Sequence, residues 1–154
     1  LDGGLLRGHH MVIFARPEMG KTLFVVNAMA GFLKQGFTVL YIGNEEPLEM
    51  TAQRMISRMA GMDKGSCHLD PETAMELARS KGYDNWIAAR MYPGSPAEIG
   101  ELCEEFHPDV LVIDQLRNIR MKEDNYVQKL EKAASAARNL GKRYDCLEIG
   151  RAHV

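Results

Sequence analysis

Cysteine is scarce in this chain of 154 residues: Cys67, Cys103 and Cys146 stand far apart, with no CxxC pair among them. An odd number of scattered thiols makes neither a disulfide framework nor a zinc site, so they read as free thiols of a reducing compartment. No apolar run approaches the roughly 20 residues that cross a bilayer, and no signal-peptide pattern is visible. These absences point to the cytoplasm and away from a membrane. Basic charge is not in excess either. The 19 Lys and Arg face 21 Asp and Glu, and a net charge of −2 gives no overall field for nucleic acid. Aromatic residues make up only 7% of the chain, and Trp86 and the tyrosines are not interleaved with Lys or Arg as a base-stacking platform requires. Internal repeats and low-complexity stretches are also missing. What is present suffices for one domain: 45% hydrophobic residues, including ten Met that read as pliable core filling.

The most informative stretch is Ala15-Arg16-Pro17-Glu18-Met19-Gly20-Lys21-Thr22. It follows the phosphate-loop pattern of Gly, four free positions, Gly, Lys and Ser or Thr, with Ala15 in place of the first Gly. Each fixed residue has a physical duty. Gly20 lets the backbone approach phosphate with no Cβ in the way. Successive N–H groups of the turn, and the helix that follows, form a concave anion site. Lys21 brings a mobile positive charge to the β- and γ-phosphates, and the Thr22 hydroxyl is a ligand for Mg²⁺. The flanks agree with this reading. Met11-Val12-Ile13-Phe14-Ala15 is a continuous apolar run, as for a parallel strand covered on both faces. Lys21 to Lys34 has helical apolar spacing and stops at Gln35-Gly36. An ordinary strand–helix turn with a surface lysine is the alternative, and this context argues against it.

Further along, Phe37–Gly43 predicts a strand and Pro47–Ala60 a helix with Met50, Met55, Ile56 and Met59 on its apolar stripe and Gly61 as its stop. Asp70-Pro71-Glu72 opens another helix that fades near Ser80–Gly82, and Trp86–Met91 is a strand closed by Tyr92-Pro93-Gly94. Ser95-Pro96-Ala97-Glu98 carries a capping box for a helix to Phe106. Val110–Asp114 is a buried strand, and Asp124 or Asn125 opens a long helix ending at Leu140 with Gly141 as its stop. Alternating elements of these lengths specify an α/β fold with a mostly parallel sheet flanked by helices.

Asp114 ends an apolar strand, the place where ligands bind in open parallel sheets, and its carboxylate would hold Mg²⁺ opposite Thr22. Asn44-Glu45-Glu46 emerges in the same way after the second strand. Hydrolysis needs a group that orients or deprotonates water, and Glu45 is the candidate; Glu46 reads as a complement to the following helix dipole. Several further charges read as solvated surface: Arg54 and Arg58 at i, i+4 spacing, and Lys122, Lys129, Lys132, Arg138, Lys142 and Arg143 near the last helix. Gln115 reads as a polar strand-end cap, and Arg16 either touches phosphate or pairs on the surface.

Ala-Arg-Pro-Glu-Met-Gly-Lys-Thr at 15–22 resembles the phosphate loop of DnaB-type replicative helicases, a family that accepts Ala at the first position. Glu45-Glu46-Pro47 resembles the family's acid-Met-Pro segment, which carries its catalytic Glu, and Val112-Ile113-Asp114-Gln115-Leu116 resembles its Walker B strand. Gly43-Asn44-Glu45-Glu46-Pro47 and Asp114-Gln115-Leu116-Arg117-Asn118 are closer to phage-type versions than to bacterial ones. The resemblance covers Leu1 to Leu147 and implies a RecA-like P-loop ATPase. In it, Lys21 and Glu45 would be catalytic, residues 15–22 would bind ATP, and Thr22 and Asp114 would hold Mg²⁺. It further implies a hexameric ring acting on single-stranded DNA, with the phosphate sensor, the DNA-contacting loops and a trans-acting Arg lying downstream of the strand that starts near Asp145. Recombinase, repair or clock-type RecA-like ATPases are one alternative, although their loops are usually richer in Gly. A nucleotide-binding module without catalysis is another.

Leu1-Asp2-Gly3-Gly4 reads as the middle of a longer protein. The last seven residues, Glu148-Ile149-Gly150-Arg151-Ala152-His153-Val154, resemble the conceptual translation of a sequencing-adapter oligonucleotide. They are poor material for a buried strand and are expected to stand outside the native domain of residues 1–147.

Overall fold

The computed structural model describes residues 4–16, 18–91, 94–122 and 125–153. Its five strands are β1 (His10–Ala15), β2 (Val39–Gly43), β3 (Trp86–Arg90), β4 (Val110–Ile113) and β5 (Leu147–His153). All neighbouring pairs are parallel, in the order β1-β5-β4-β2-β3. The helices are α1 (Lys21–Lys34), α2 (Leu48–Ala60), α3 (Lys64–Leu69), α4 (Pro71–Ser80), α5 (Pro96–Phe106) and α6 (Tyr126–Arg143). Because side chains alternate across a strand, β2 feeds two cores. Val39 and Tyr41 join Val110, Val112 and the α1 residues Val26, Met29 and Leu33 on one face. Leu40 and Ile42 join Leu111, Ile113, Ile99 of α5 and Ala133 and Ala137 of α6 on the other. A sheet covered on both faces explains the unbroken apolar runs of β2 and β4.

Local grammar placed most boundaries. Gly36 (φ 88°) and Gly61 (φ 69°) take the left-handed positions that end α1 and α2. Asp70 accepts from the Thr73 N–H, and Ser95 from the Glu98 N–H, at the starts of α4 and α5. Four expectations are corrected. Pro47 precedes α2 as its N-cap, with an extended ψ of 136°. Helix α3, capped by Asp63, was not anticipated: it buries no residue and so has no apolar stripe to read. Helix α6 runs past Gly141 to Arg143, with Gly141 lying so near β5 that a Cβ would meet the Cys146 carbonyl at 3.2 Å.

The fourth correction is the largest. Glu148–His153, expected to make a poor strand, lies in the middle of the sheet between β1 and β4. Its polar residues find partners there: buried Glu148 pairs with His10, and buried Arg151 pairs with Asp114. Of the other sequence expectations, Pro17, Tyr92, Pro93, Asp124 and Val154 lie outside the described residues.

Candidate nucleotide site

The carboxyl ends of β1, β2, β4 and β5 converge, and the site is built there. After β1 the chain turns through Arg16, Glu18 and Met19 into α1. Gly20 is the N-cap of α1 at φ 79°, a conformation that other L-residues rarely adopt, and a Cβ added there would meet no atom within 4 Å. The space in front of the turn is therefore open. Helices α3, α4, α5 and α6 each have a side chain capping their first turn, whereas α1, like α2, has none, and no acid lies in the first turn of α1. Its leading N–H groups and positive dipole end face that open space, the arrangement that receives an anion.

Lys21 is buried, with Nζ 2.5 Å from the Ala15 carbonyl and 2.5 Å from His153 Nδ1. Loss of hydration, followed by the nearby Arg151 charge, holds its pKa below the usual lysine value. Asp114, just past β4, is buried and accepts from the Tyr41 hydroxyl at 2.9 Å. Burial raises its pKa, against the opposing pull of Arg151 and the Tyr41 hydrogen bond. Glu45 is exposed on the loop after β2. Partial burial opposes its ionisation, but hydrogen bonds from His153 and Gln115 and the Arg151 charge outweigh that, and its carboxyl sits below the usual range. It is an anion at neutral pH, as a base must be.

The four separated residues come together through β5. Arg151 donates to Thr22 Oγ1 at 3.0 Å and to Glu45 Oε2 at 3.1 Å, and it lies 2.9 Å from Asp114 Oδ1. One cationic group therefore touches Thr22, Glu45 and Asp114 at once. Lys21 joins the set through His153, whose Nε2 is 3.0 Å from Glu45 Oε1. Among the described residues no three His, Cys, Asp or Glu gather as a metal cage. The Arg151 guanidinium is the positive charge between Thr22, Glu45 and Asp114.

Other residues fall elsewhere. Arg54 is not merely solvated, since it pairs with Glu46, which also accepts from Thr51 at 3.2 Å. Glu46 thus serves α2 and leaves Glu45 to the site. Arg16 and Met19 are exposed on the loop. Gln115 is fully buried and donates to Glu45 Oε2 at 2.9 Å, which is more than capping a strand. Sequence reasoning missed Tyr41 as the partner of Asp114, and the Asn44 side chain that bonds the Gln115 backbone. The alternation of β2 carries part of the first signal, because it places Tyr41 on the face shared with α1 and α2.

Comparison with known proteins adds the following. The family model for the DnaB-like helicase C-terminal domain matches residues 1–149. Among curated proteins, DNA repair protein RadA of Chlamydia muridarum (strain MoPn / Nigg) is 24% identical over 119 residues, which is 77% of this chain and 21% of that protein. RadA of Haemophilus influenzae (strain ATCC 51907 / DSM 11121 / KW20 / Rd) is 26% identical over 117 residues, 76% of this chain and 20% of that protein. The chain thus spans about a fifth of the length of these curated relatives. Among solved structures, a DnaB-like replicative helicase studied with its primase interactions superposes with a TM-score of 0.84 at 16% identity, covering 98% of this chain and 40% of that one. A second solved structure, that of an ATPase domain, gives 0.83 at 16% identity, covering 97% and 58%.

Proposed function

The chain belongs to the DnaB-like helicase C-terminal domain family, and from that premise we propose that it is the ATP-binding and hydrolysing motor segment of a replicative ring helicase. The observation that carries the reading is that the loop after β1, Glu45 after β2 and Asp114 after β4 all open at the carboxyl edge of one parallel sheet, where Gln115, next to Asp114, donates to Glu45 Oε2 at 2.9 Å. Bound Mg²⁺-ATP would supply the reactive γ-phosphoryl group and a positive charge to offset that of the phosphates. Residues 15–22 would cradle the phosphates through the N–H groups of Glu18, Met19, Gly20 and Lys21, the Met19 N–H giving up its 3.4 Å bond to the Arg16 carbonyl. Thr22 and Asp114 would hold the metal. Lys21 would offset negative charge on the phosphate oxygens, and Glu45 would orient a water and accept its proton.

Single-stranded DNA and a hexameric ring of the parent protein, in the cytoplasm of a bacterial host and encoded by a phage, complete the reading. The isolated segment binds nucleotide and turns it over poorly. RadA relatives at 24–26% identity support the neighbouring possibility of a repair ATPase; Arg16 and Met19 in the loop favour the helicase. Residues 148–154 belong, in this reading, to a non-native tail occupying the place of a native strand. Its resemblance to a translated adapter oligonucleotide is the ground for that assignment, and sequencing the parent gene across this point tests it.

The functional test compares Lys21→Ala and Glu45→Ala in the full-length parent protein. Lys21→Ala should weaken nucleotide binding at least about 10-fold. Glu45→Ala should leave binding within a few-fold and lower hydrolysis by about 100-fold or more, the range of a lost general base. Undiminished hydrolysis in Glu45→Ala excludes Glu45 as the base.

A further inference from the structure

Strands β2 and β4 pair in register up to Ile42 and Ile113, and one further main-chain bond follows, from the Asp114 N–H to the Ile42 carbonyl at 3.1 Å. Past this point the two chains would separate into loops, one carrying Glu45 and the other leading away from Asp114. They do not separate, because a side chain continues the ladder. The Gln115 N–H donates to Asn44 Oδ1 at 2.9 Å, and Asn44 Nδ2 donates to the Gln115 carbonyl at 2.9 Å. Asn118 Nδ2 closes the loop from the other side by donating to the Asn44 carbonyl at 2.8 Å. Asn44 and Gln115 are both buried, so these groups have no water to fall back on. Gln115, held at its backbone by Asn44, extends Nε2 to Glu45 Oε2 at 2.9 Å.

We propose that Asn44 is a positioning residue for hydrolysis: its carboxamide acts as an additional ladder rung that locks the Glu45 loop to the Asp114 loop, and so sets where the Glu45 carboxylate stands. The inference rests on the reading of Glu45 as the base. The rung itself does not involve residues 148–154, since Asn44, Gln115 and Asn118 make it among themselves; Arg151 and His153 contact the Glu45 carboxylate in addition, and His153 also lies 2.8 Å from Gln115 Nε2. The chemistry selects Asn. A carboxamide offers one acceptor and one donor in a plane, matching the N–H and C=O of a single residue. Asp keeps the acceptor but sets a carboxylate against the Gln115 carbonyl. Gln is one methylene too long for the same reach.

The test uses the full-length parent protein with Asn44→Ala, Asn44→Asp, Glu45→Ala and the double variant Asn44→Ala/Glu45→Ala. The readouts are Mg²⁺-ATP affinity, kcat, and hydrolysis in a single turnover. Asn44→Ala should lower kcat about 10- to 100-fold, the scale of a small misplacement of a reacting group, while nucleotide affinity stays within about threefold. Asn44→Asp should show a smaller loss of the same kind. In the Glu45→Ala background the Asn44 change should remove nothing more, since a group that acts through Glu45 has nothing left to position. Wild-type kcat in Asn44→Ala, or a further loss in the double variant, overturns the proposal. Should Asn44→Ala fail to fold, Asn44→Asp decides by the same criterion, and wild-type kcat there overturns it. Hydrolysis that survives Glu45→Ala alone removes the premise and identifies the general-base reading as the failed step.

Discussion

Replacing Arg151 with Gln separates the two parts that β5 now plays, strand and cation. The guanidinium lies within 2.9–3.1 Å of Asp114, Thr22 and Glu45, and Mg²⁺ with its waters would compete for the same oxygens. Removing one partner of a buried ion pair ordinarily costs about 3–5 kcal/mol. Asp114 keeps its hydrogen bond from Tyr41 and is able to take up a proton, so the expected loss is about 2–3 kcal/mol. At about 2–4 °C per kcal/mol for a domain near this size, the melting temperature should fall by about 5–10 °C. The deficit should depend on pH, and Asp114 sets the sign. Burial already raises its pKa, and removing the Arg151 charge raises it further. Between the unfolded value, about 3.9, and the raised folded value, the folded chain holds the extra proton. Stability in that window therefore falls as pH rises and recovers as pH falls. The variant should be weakest relative to the parent chain near neutrality and should regain ground on acidification. Thermal denaturation with and without saturating Mg²⁺-nucleotide checks the remainder. The variant should gain more from the ligand than the parent chain, because no guanidinium has to be displaced. Equal or greater protection of the Arg151 chain would refute the idea that guanidinium and metal share one position.

Two further outcomes follow from the same geometry. Gly20→Ala places a Cβ at φ 79° in open space, so it should cost only about 1–2 kcal/mol of stability, while Mg²⁺-nucleotide affinity measured by fluorescence titration falls at least about tenfold; unchanged affinity would mean that phosphate does not approach this turn. Burial pushes the Cys103 thiol up to about 12 and the Cys146 thiol up to about 11, so a thiol reagent at pH 8 should modify only half-buried Cys67 in the native chain and all three cysteines after denaturation.

What could be read in the sequence was what local physics decides. The apolar runs of β1, β2 and β4, the cap-and-proline starts at Asp70-Pro71 and Ser95-Pro96, and the glycine stops at Gly36 and Gly61 each depend on a few neighbouring residues. What escaped depends on distant partners. Gly141 looks like a helix stop until β5 is seen to press against it. Helix α3 has a cap but no buried face. In the site, the Lys-Thr pair and the strand-end acid are marked by motif. The Tyr41–Asp114 bond and the Asn44–Gln115 rung join residues more than 70 positions apart, and only the register of β2 against β4 brings them together. Polar pairing of that kind leaves no periodic trace.

The same dependence on register explains how β5 enters the site despite its composition. Parallel pairing sets Ile13 against Arg151 and Ala15 against His153 on one side, and Ile113 against Gly150 on the other. Residue 151 therefore stands at the level where β4 gives way to Asp114, and residue 153 at the level where β1 gives way to the phosphate loop. Side chains on a strand alternate, so positions 151 and 153 share a face. In this chain that face is turned to Thr22, Lys21, Glu45 and Asp114, as the contacts of Arg151 and His153 record. The scaffold, more than the chemistry of this strand, dictates that meeting. Any other residues at these two positions would face the same four groups.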